Sequence, residues 1–345
     1  MPSSKELPPS TAPFFPNQFI KNQYCSKPQY PPQDTDLSGQ VAIVTGSNTG
    51  LGFACAKQLL SYKLSRLIIA VRTTAKGEDA AAKLRKQHPE ATIEVWLLDM
   101  SSYESVQAFA ARTEKELLRL DIAVLNAGIA GSEFKIVPST GHEEALQVNY
   151  LSTVLLTILL LPVLKDKSPA GTPGRLTVST TMLSITAKFA NKNVKPLLPS
   201  FDDKKNFDPV DNYPKTKFLT QLFLWKLTDL VSSDDVIINM VEPGFTKGTE
   251  LQRDAPVAVK VFLALLKSVS ARDVKLAVST YLDAAIVKGK DSHGSILMNW
   301  EIAPYAPFQY TKEGQDVMER LWGETIKELG PLGVSDILKS LYVSM

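Results

Sequence analysis

The chain has 345 residues, is 44% hydrophobic and carries a formal net charge of +2 with 21% charged residues. This length suits one large domain or two small ones. The balanced, dispersed charge excludes nucleic acid or an anionic membrane as the main partner. Two cysteines, Cys25 and Cys55, exclude a disulfide framework, so we expect a soluble protein of the reducing cytoplasm.

The amino-terminal residues 1–37 are rich in proline and polar side chains and show neither a helical nor a strand period. They predict an arm that wraps the body or stays mobile. The arm lacks a basic stretch followed by an apolar one, which excludes a secretory signal. The body, residues 38–345, has no internal repeat or break in composition and is predicted to be a single domain.

Along the body, short apolar strands alternate with helices. The predicted strands are QVAIVTG, SRLIIAVR, TIEVWLLDM, IAVLNAG, RLTVST and DVIINMVEPG, with ILMNWEI as a candidate seventh. The predicted helices cover residues 50–60, 78–87, 103–119, 142–164 and 213–231. Such alternation predicts an α/β fold with a parallel sheet covered by helices on both faces.

Two segments interrupt this alternation. Residues 187–212 follow the fifth strand, and residues 245–271, with the apolar stretch APVAVKVFLALL, follow the sixth. Open α/β sheets bind ligands beyond the carboxyl ends of their strands, so the two segments are predicted to form a substrate loop and a lid. The longest apolar run, residues 154–164, is too short to span a bilayer and predicts a buried or subunit-interface helix.

A glycine-rich turn, Thr45-Gly46-Ser47-Asn48-Thr49-Gly50-Leu51-Gly52, joins the first strand to the first helix of the body. This is the context that a dinucleotide-binding turn requires. Glycines let the backbone approach a pyrophosphate, and the amides at the helix start face the phosphates. The predicted cofactor contacts in this turn are Gly46, Asn48, Thr49, Gly50, Leu51 and Gly52.

The second strand ends in Val71-Arg72-Thr73-Thr74. NAD sites usually place an acidic residue near this point to hold the ribose hydroxyls. A guanidinium matches a phosphate instead, so Arg72 predicts NADP(H) in preference to NAD(H). The alternative is that Arg72 only extends into solvent.

Two further strand ends are candidate cofactor contacts. Asp99 closes the third strand, where its carboxylate would accept a hydrogen bond from the adenine amino group or cap the turn before Ser101. Asn126-Ala127-Gly128 closes the fourth strand, where small residues let the chain approach the cofactor. Asn126 is also a candidate for tying neighbouring strands together.

Tyr213 and Lys217 stand four residues apart, which places them on one face of a helix. A nearby ammonium favours the phenolate, so Lys217 is expected to lower the pKa of Tyr213 and make it a usable acid or base. By themselves the two residues are more typical of a surface pair on an amphipathic helix. With the glycine turn upstream, they predict hydride transfer paired with proton transfer at a carbonyl or alcohol.

Five motifs occur in a familiar order over about residues 38–310: Thr45-Gly46-x-x-x-Gly50-x-Gly52, Asn126-Ala127-Gly128, Asn149, Tyr213-x-x-x-Lys217 and Pro243-Gly244. In this the chain resembles the short-chain dehydrogenases/reductases of the non-extended type. VLNAGI, LQVNYLST and HGSIL are similar to the retinol-dehydrogenase-like subgroup, especially fungal members of secondary-metabolite pathways.

The resemblance implies a Rossmann-type doubly wound sheet of about seven strands, a nicotinamide cofactor and a catalytic tetrad, Asn149, Thr181, Tyr213 and Lys217. Tyr213 would donate the proton, Lys217 would also bind the nicotinamide ribose, and Asn149 would hold a water linked to Lys217. The residues bordering the nicotinamide would be Pro243, Gly244 and Thr246. No metal site is predicted.

Threonine at position 181 departs from the family, which usually carries serine there. Its hydroxyl can still bind a substrate oxygen, although the extra methyl narrows the site. Thr180 is its neighbour in the pair that ends the fifth strand, and Ser179 or Ser184 would serve if the alignment shifts.

No sequence motif identifies the substrate. An apolar pocket is indicated by the apolar stretch in residues 245–271, together with Phe189, Phe201 and Phe207. Such a pocket favours a bulky hydrophobic ketone, aldehyde or alcohol, such as a natural-product intermediate. Core packing would explain these residues equally. The alternatives are a non-redox cyclase or isomerase, a dinucleotide-binding module without chemistry, and a structural protein. Relatives commonly form dimers or tetramers through helices near 105–118 and 150–164, so a homodimer is an open expectation.

Overall fold

The computed structural model describes residues 2–247 and 270–343. In these residues eight strands form one sheet in the order β3-β2-β1-β4-β5-β6-β7-β8. The strands are β1 (Val41–Thr45), β2 (Arg66–Val71), β3 (Thr92–Leu97), β4 (Ile122–Leu125), β5 (Gly174–Ser179), β6 (Val236–Glu242), β7 (Ser295–Met298) and β8 (Glu301–Ala303). All neighbouring pairs are parallel except β7 and β8.

Helices cover both faces of this sheet. They are α1 (Phe19–Tyr24), α2 (Gly50–Ser61), α3 (Thr74–Gln87), α4 (Tyr103–Glu116), α5 (Ser152–Lys167), α6 (Asn212–Leu227), α7 (Val274–Leu282), α8 (Lys312–Leu329) and α9 (Val334–Val343). α2, α3 and α7 pack on one face, and α4, α5 and α6 pack on the other with α8 and α9 beside them. The predicted Rossmann-type doubly wound α/β fold is confirmed.

The strand order reverses at β1, between β2 on one side and β4 on the other. All five residues of β1 are buried, as expected for a central strand with helices above and below it. In open α/β sheets the crevice at this reversal, beyond the carboxyl ends of the strands, is the place where ligands bind. The glycine turn leaves β1 at this crevice.

The segment ILMNWEI does not form the single seventh strand that its apolar pattern predicts. It turns back at Asn299 and Trp300, whose φ angles are +53° and +66°, and becomes the β7–β8 hairpin. Two successive positive φ angles are the geometry of a two-residue hairpin loop. Trp300 is 1% exposed and donates its indole N–H to Ser279 Oγ at 3.1 Å, and this burial offsets the strain of the turn.

The apolar run 154–164 lies within α5. The stretch Leu146–Lys167 is long and apolar enough to cross a membrane, but 89% of its most apolar window is buried inside the fold. The helices packed against α5 are α4, α6 and α9 of the same chain. The helix therefore belongs to the core, and a homodimer stays a prediction.

The amino-terminal arm lies along the body. Ser4 donates its backbone N–H to Ser295 Oγ at 3.1 Å, and its hydroxyl accepts the Ile296 N–H at 2.9 Å. α1 then reaches the segment after β6, where Gln23 donates its side-chain amide to the carbonyl of Phe245 at 2.8 Å. Of the predicted lid, residues 248–269 lie outside the described residues.

Candidate active site

The glycine turn holds its backbone closer than a side chain would allow. Gly46 and Gly50 have φ angles of +63° and +58°, which glycine adopts without strain. A Cβ on Gly52 would lie 2.4 Å from the carbonyl oxygen of Gly46. The start of α2 is therefore pressed against the end of β1.

The start of α2 is open to an anion. Thr49 precedes the helix in an extended conformation, and no side chain of the described residues caps it. The first amides of a helix have no partner within the helix, and they carry the positive end of its dipole. Asn48 is half-buried and Thr49 is exposed beside these amides. The turn can therefore accept a pyrophosphate through its backbone.

The ends of β1 and β4 are tied together behind this turn. The Thr45 hydroxyl accepts the backbone N–H groups of Asn126 at 3.0 Å and Ala127 at 2.9 Å. The Asn126 side chain donates to the carbonyl of Thr45 at 3.0 Å. Asn126 thus links two strands, as its position suggested, and the small Ala127 and Gly128 follow it at the crevice.

Arg72 and Asp99 lie at the ends of β2 and β3. Arg72 is exposed, with Thr73 and Thr74 exposed after it. Asp99 Oδ1 accepts hydrogen bonds from the N–H and the hydroxyl of Ser101, at 2.9 and 2.7 Å. These bonds match the alternative prediction that Asp99 caps the turn before Ser101. An adenine contact by Asp99 stays a prediction.

α6 carries Tyr213 in its first turn and Lys217 one turn later. The Lys217 ammonium donates to the carbonyl of Ser179, at the end of β5, at 2.8 Å. A Cβ on Gly128 would lie 3.4 Å from Lys217 Nζ and 3.1 Å from Asn149 Oδ1. Lys217 and Asn149 therefore meet above Gly128, which lacks a side chain where one would fill the space between them.

Asn149 is fixed by its neighbours. It lies in a wide helical turn, Leu146–Leu151, that leads into α5. Its side chain accepts the Ile129 N–H at 2.9 Å and donates to the Ile129 carbonyl at 2.8 Å. Its backbone carbonyl accepts the Thr220 hydroxyl at 2.9 Å.

Burial has the largest effect on the pKa values of Tyr213 and Lys217 on α6. It raises the pKa of Tyr213 well above its usual range, and the charge of Glu242 adds to this effect. It also lowers the pKa of Lys217 to about 8. The expectation that Lys217 lowers the pKa of the phenol is therefore wrong for the protein alone. Tyr213 is a protonated phenol at neutral pH, which is the form that an acid requires.

Two hydroxyls near the end of β5 are used within the fold. The hydroxyls of Ser179 and Tyr281 share a hydrogen bond of 2.7 Å, and Tyr281 donates in turn to Asn126 Oδ1 at 3.1 Å. Thr180 is 3% exposed and accepts the Gln221 side-chain amide at 2.7 Å. Both hydroxyls are therefore buried and engaged by side chains of the fold.

Thr181 is more exposed than Ser179, Thr180 and Ser184, which are all buried. Among the described residues, its hydroxyl accepts one hydrogen bond, from the Leu183 N–H at 3.2 Å. It borders a water-sized cavity of about 10 Å³. Ser184 borders the same cavity, but its hydroxyl donates to the Thr181 carbonyl at 2.6 Å and accepts from Gln221. Of these four hydroxyls, that of Thr181 is the best placed to receive a ligand.

A larger cavity of about 250 Å³ adjoins the small one, and the two share Ser184, Ile185 and Ala306. Three phenylalanine rings wall it, with centroids 5.9 to 6.4 Å apart. Its lining residues are Ser184, Ile185, Ala187, Lys188, Phe189, Lys192, Phe218, Ala306, Pro307 and Phe308. The beginning of the predicted substrate loop, residues 187–192, thus forms one wall.

Of the three phenylalanines predicted to form an apolar pocket, one lines the larger cavity and two do not. Phe189 lines the larger cavity. Phe201 packs behind it with ring centroids 6.3 Å apart, and Phe207 packs against Phe134 instead, at 5.7 Å. Phe218 and Phe308 complete the wall, and no motif marked them because ordinary core phenylalanines look the same in a sequence.

The turn after β6 is held by hydrogen bonds from residues later in the chain. Gly244 has a φ of +82°, and the buried Thr246 donates its hydroxyl to the Gly244 carbonyl at 2.9 Å. Arg272 also reaches this turn, because it donates to the Pro243 carbonyl at 3.4 Å and to Asn22 of the arm. Sequence reasoning missed Arg272 and the arm because contacts between distant segments leave no local pattern.

Comparisons with known proteins agree with this geometry. The family model for short chain dehydrogenase matches residues 40–176. The short chain dehydrogenase/reductase mfmJ of Annulohypoxylon moriforme is 58% identical over 341 residues, which cover 99% of both chains. The short chain dehydrogenase virL of Hypocrea virens is 45% identical over 323 residues, which cover 94% of each.

Solved structures share the fold at lower identity. L-sorbose reductase from Gluconobacter frateurii, complexed with NADPH and L-sorbose, aligns with a TM-score of 0.57 at 20% identity, covering 76% of this chain and 96% of that one. NADPH-dependent 3-quinuclidinone reductase from Rhodotorula rubra aligns with a TM-score of 0.57 at 23% identity, covering 79% and 95%. The chain therefore belongs to the short-chain dehydrogenase/reductase family of oxidoreductases.

Proposed function

We propose that this protein is an NADP(H)-dependent oxidoreductase that reduces a hydrophobic ketone or aldehyde, or oxidises the corresponding alcohol, in natural-product biosynthesis. The observation that carries the proposal is the meeting of Lys217 and Asn149 above Gly128, one helical turn from Tyr213. This group lies at the carboxyl ends of β4 and β5, in the crevice where the glycine turn opens.

The residues present fit a dinucleotide. The uncapped amides at the start of α2 suit the pyrophosphate. The Lys217 ammonium, close to Gly128, is proposed to bind the nicotinamide ribose. Pro243, Gly244 and Thr246 are proposed to border the nicotinamide. When bound, the cofactor supplies or accepts the hydride at the substrate carbon.

Each residue of the tetrad then has one task. In the reduction direction, Thr181 and Tyr213 hydrogen-bond the substrate oxygen as negative charge develops on it, and Tyr213 gives it a proton. Lys217 stays protonated below about pH 8 and stabilises the resulting phenolate. Asn149 holds a water linked to Lys217, and that water returns a proton to the pair. The raised pKa of Tyr213 keeps the phenol protonated at neutral pH, which is the form that donates a proton.

The preference for NADP(H) rests on Arg72. The guanidinium is exposed at the end of β2, next to the hydroxyls of Thr73 and Thr74, where an NAD site would usually have a carboxylate. The L-sorbose reductase and 3-quinuclidinone reductase structures that share the fold are both described with NADPH. We therefore assign the 2′-phosphate to Arg72.

Replacing Arg72 by alanine tests this assignment. Losing a charge-assisted hydrogen bond to a phosphate should weaken NADPH binding by about 10- to 100-fold, while NADH binding stays unchanged. Titrations with both cofactors measure the two affinities, and Arg112→Ala, which removes a guanidinium from α4, is the control. The role of Arg72 would be refuted if the variant lost equal affinity for NADPH and NADH. It would also be refuted if the wild-type protein bound NADH as tightly as NADPH.

The substrate class follows from the larger cavity. Its three phenylalanine rings suit an aromatic or otherwise flat apolar ligand, and its volume suits a small ring system rather than a long chain. The fungal relatives point to secondary metabolism. The buried α5 and the two free cysteines support a soluble enzyme of the cytoplasm.

A panel of carbonyl compounds tests the proposal. NADPH oxidation should be fastest with bulky aryl ketones and aldehydes, slower with aliphatic ones and slowest with small polar ones. A preference for small polar carbonyls would refute the substrate class. Product formation without cofactor consumption would favour a cyclase or isomerase, and tight NADPH binding without turnover of any compound would favour a module without chemistry.

A further inference from the structure

The helix α8 holds the substrate loop, residues 187–212, through its side chains. Glu324 Oε1 accepts the Leu197 N–H at 2.8 Å, and Glu324 Oε2 accepts the Leu198 N–H at 2.7 Å. The short helical turn Leu198–Asp202 begins at this point, and the first amides of a helix have no partner within it. One half-buried carboxylate thus fixes two consecutive amides of two buried residues of the loop.

Arg320 lies one helical turn before Glu324 and binds the loop just ahead of these amides. Its Nη1 atom donates to the Val194 carbonyl at 3.0 Å, and its Nη2 atom donates to the Lys192 carbonyl. Residues four apart share one face of a helix. From one face of α8, the two side chains therefore hold two carbonyls and two amides of residues 192–198 with charge-assisted hydrogen bonds.

A third side chain on this face reaches the loop through His142. Glu328 lies one turn after Glu324, and its Oε1 atom is 3.2 Å from His142 Nε2. His142 Nδ1 is 2.9 Å from Asp202 Oδ2, at the end of the helical turn of the loop. Asp202 Oδ1 also accepts the Glu143 N–H at 2.7 Å. Both ends of the helical turn are therefore fastened to the body.

The part of the loop that α8 holds supports the wall of the larger cavity. Phe201, within the helical turn that Glu324 contacts, packs behind the cavity-lining Phe189 with ring centroids 6.3 Å apart. Lys192, whose carbonyl Arg320 binds, lines the cavity as well. In the described part of the chain, none of the lining residues belongs to α8. The helix therefore acts on the cavity from behind, through the loop.

We propose that Arg320 and Glu324 are positioning residues, which keep the larger cavity in its ligand-binding shape before a substrate arrives. A loop that samples several conformations binds a ligand only in the competent fraction, so a fixed loop raises the apparent affinity. A flat aryl group depends most on the fixed ring of Phe189, whereas a flexible alkyl chain adapts to a displaced wall. α8 thereby determines the preference for aryl substrates. The substrate class rests on the proposed function, but the attachment of the loop to α8 rests on geometry alone.

Hydrogen exchange measures this attachment directly and needs no substrate. In Glu324→Ala, the Leu197 and Leu198 amides should exchange about 10-fold faster or more, because each loses a bond to a charged acceptor. Glu319→Ala is the control, since it removes an exposed carboxylate of α8 that pairs with Lys226 instead of the loop. It should leave both amides unchanged. Wild-type exchange at Leu197 and Leu198 in folded Glu324→Ala would overturn the proposal.

Glu324→Gln keeps the size of the side chain and one acceptor oxygen, so it serves if the alanine variant does not fold. Its amide nitrogen replaces the second acceptor. One of the two loop amides should therefore stay protected while the other exchanges faster, and wild-type protection of both would equally overturn the proposal.

Kinetics with two ketones of equal carbon number, acetophenone and 2-octanone, separates positioning from general damage to the fold. Glu324→Gln should raise KM for acetophenone about 10-fold if the loop is competent about a tenth of the time, and KM for 2-octanone less. Arg320→Met should act in the same direction, and Arg320→Lys, which keeps the charge, should act more weakly. Both kcat and NADPH affinity should be unchanged, because the tetrad lies on other elements. Equal changes for both ketones, or a lower kcat at unchanged KM, would contradict the positioning role.

The two proposals fail separately. If no carbonyl compound is reduced, the exchange experiment still decides whether Glu324 holds the loop. If carbonyl compounds are reduced but exchange at Leu197 and Leu198 does not respond to Glu324, the proposed function stands and the positioning role is lost.

Discussion

Replacing Tyr213 by phenylalanine should lower kcat by about 100- to 10,000-fold, the usual contribution of a positioned general acid. The variant loses only the hydroxyl, so the packing of α6 and the contact of Lys217 with the Ser179 carbonyl remain. NADPH affinity should therefore be unchanged. Steady-state kinetics with the best carbonyl substrate, together with a cofactor titration, measures both quantities.

Tyr103→Phe is the matched control for this experiment. Its hydroxyl contacts Glu328 at 3.3 Å, on the side of α4 and α8 and away from the tetrad. It removes the same atom and should leave kcat unchanged. If Tyr213→Phe turns over at the wild-type rate, the phenol is not the proton donor and the proposed chemistry fails.

Replacing Gly52 by alanine should weaken NADPH binding by about 10- to 100-fold, which corresponds to about 1–3 kcal/mol for a methyl forced into a packed site. The new Cβ would lie 2.4 Å from the Gly46 carbonyl oxygen and 2.6 Å from Asn126 Nδ2. The start of α2 must therefore move away from the end of β1, and its amides leave the place where they would face the pyrophosphate.

The control for Gly52→Ala is Gly323→Ala on α8. A Cβ at Gly323 meets nothing within 4 Å, and alanine is the better helix former, so this variant should bind NADPH normally and unfold at the same temperature or higher. Cofactor titration and thermal denaturation compare the two variants. Normal NADPH affinity in Gly52→Ala would show that the glycine turn does not hold the cofactor.

Local patterns predicted most of the sheet. The strands β1 to β6 are short apolar runs bounded by turns, and the helices between them have a helical period, so both follow from neighbouring residues. The hairpin at Asn299 and Trp300 was missed because tryptophan is not a turn residue, and only its burial under α7 explains it. α8 and α9 were not predicted, although they cover the face that carries α5.

At the site, spacing predicted which residues share a face but not how they are protonated. Tyr213 and Lys217 lie one turn apart as expected. However, the sequence does not show that Lys217 is buried and Tyr213 half-buried. The loss of contact with water moves their pKa values in opposite directions, upward for Tyr213 and downward for Lys217.

The account depends on hydride transfer to a carbonyl carbon, and isotope transfer tests this most directly. The protein is incubated with its best carbonyl substrate and with NADPH that carries deuterium at both C4 positions of the nicotinamide. The mass of the product is then measured by mass spectrometry. We expect the alcohol to carry one deuterium on the former carbonyl carbon. A product formed without deuterium would contradict the account, because the fold would then catalyse a reaction without net reduction.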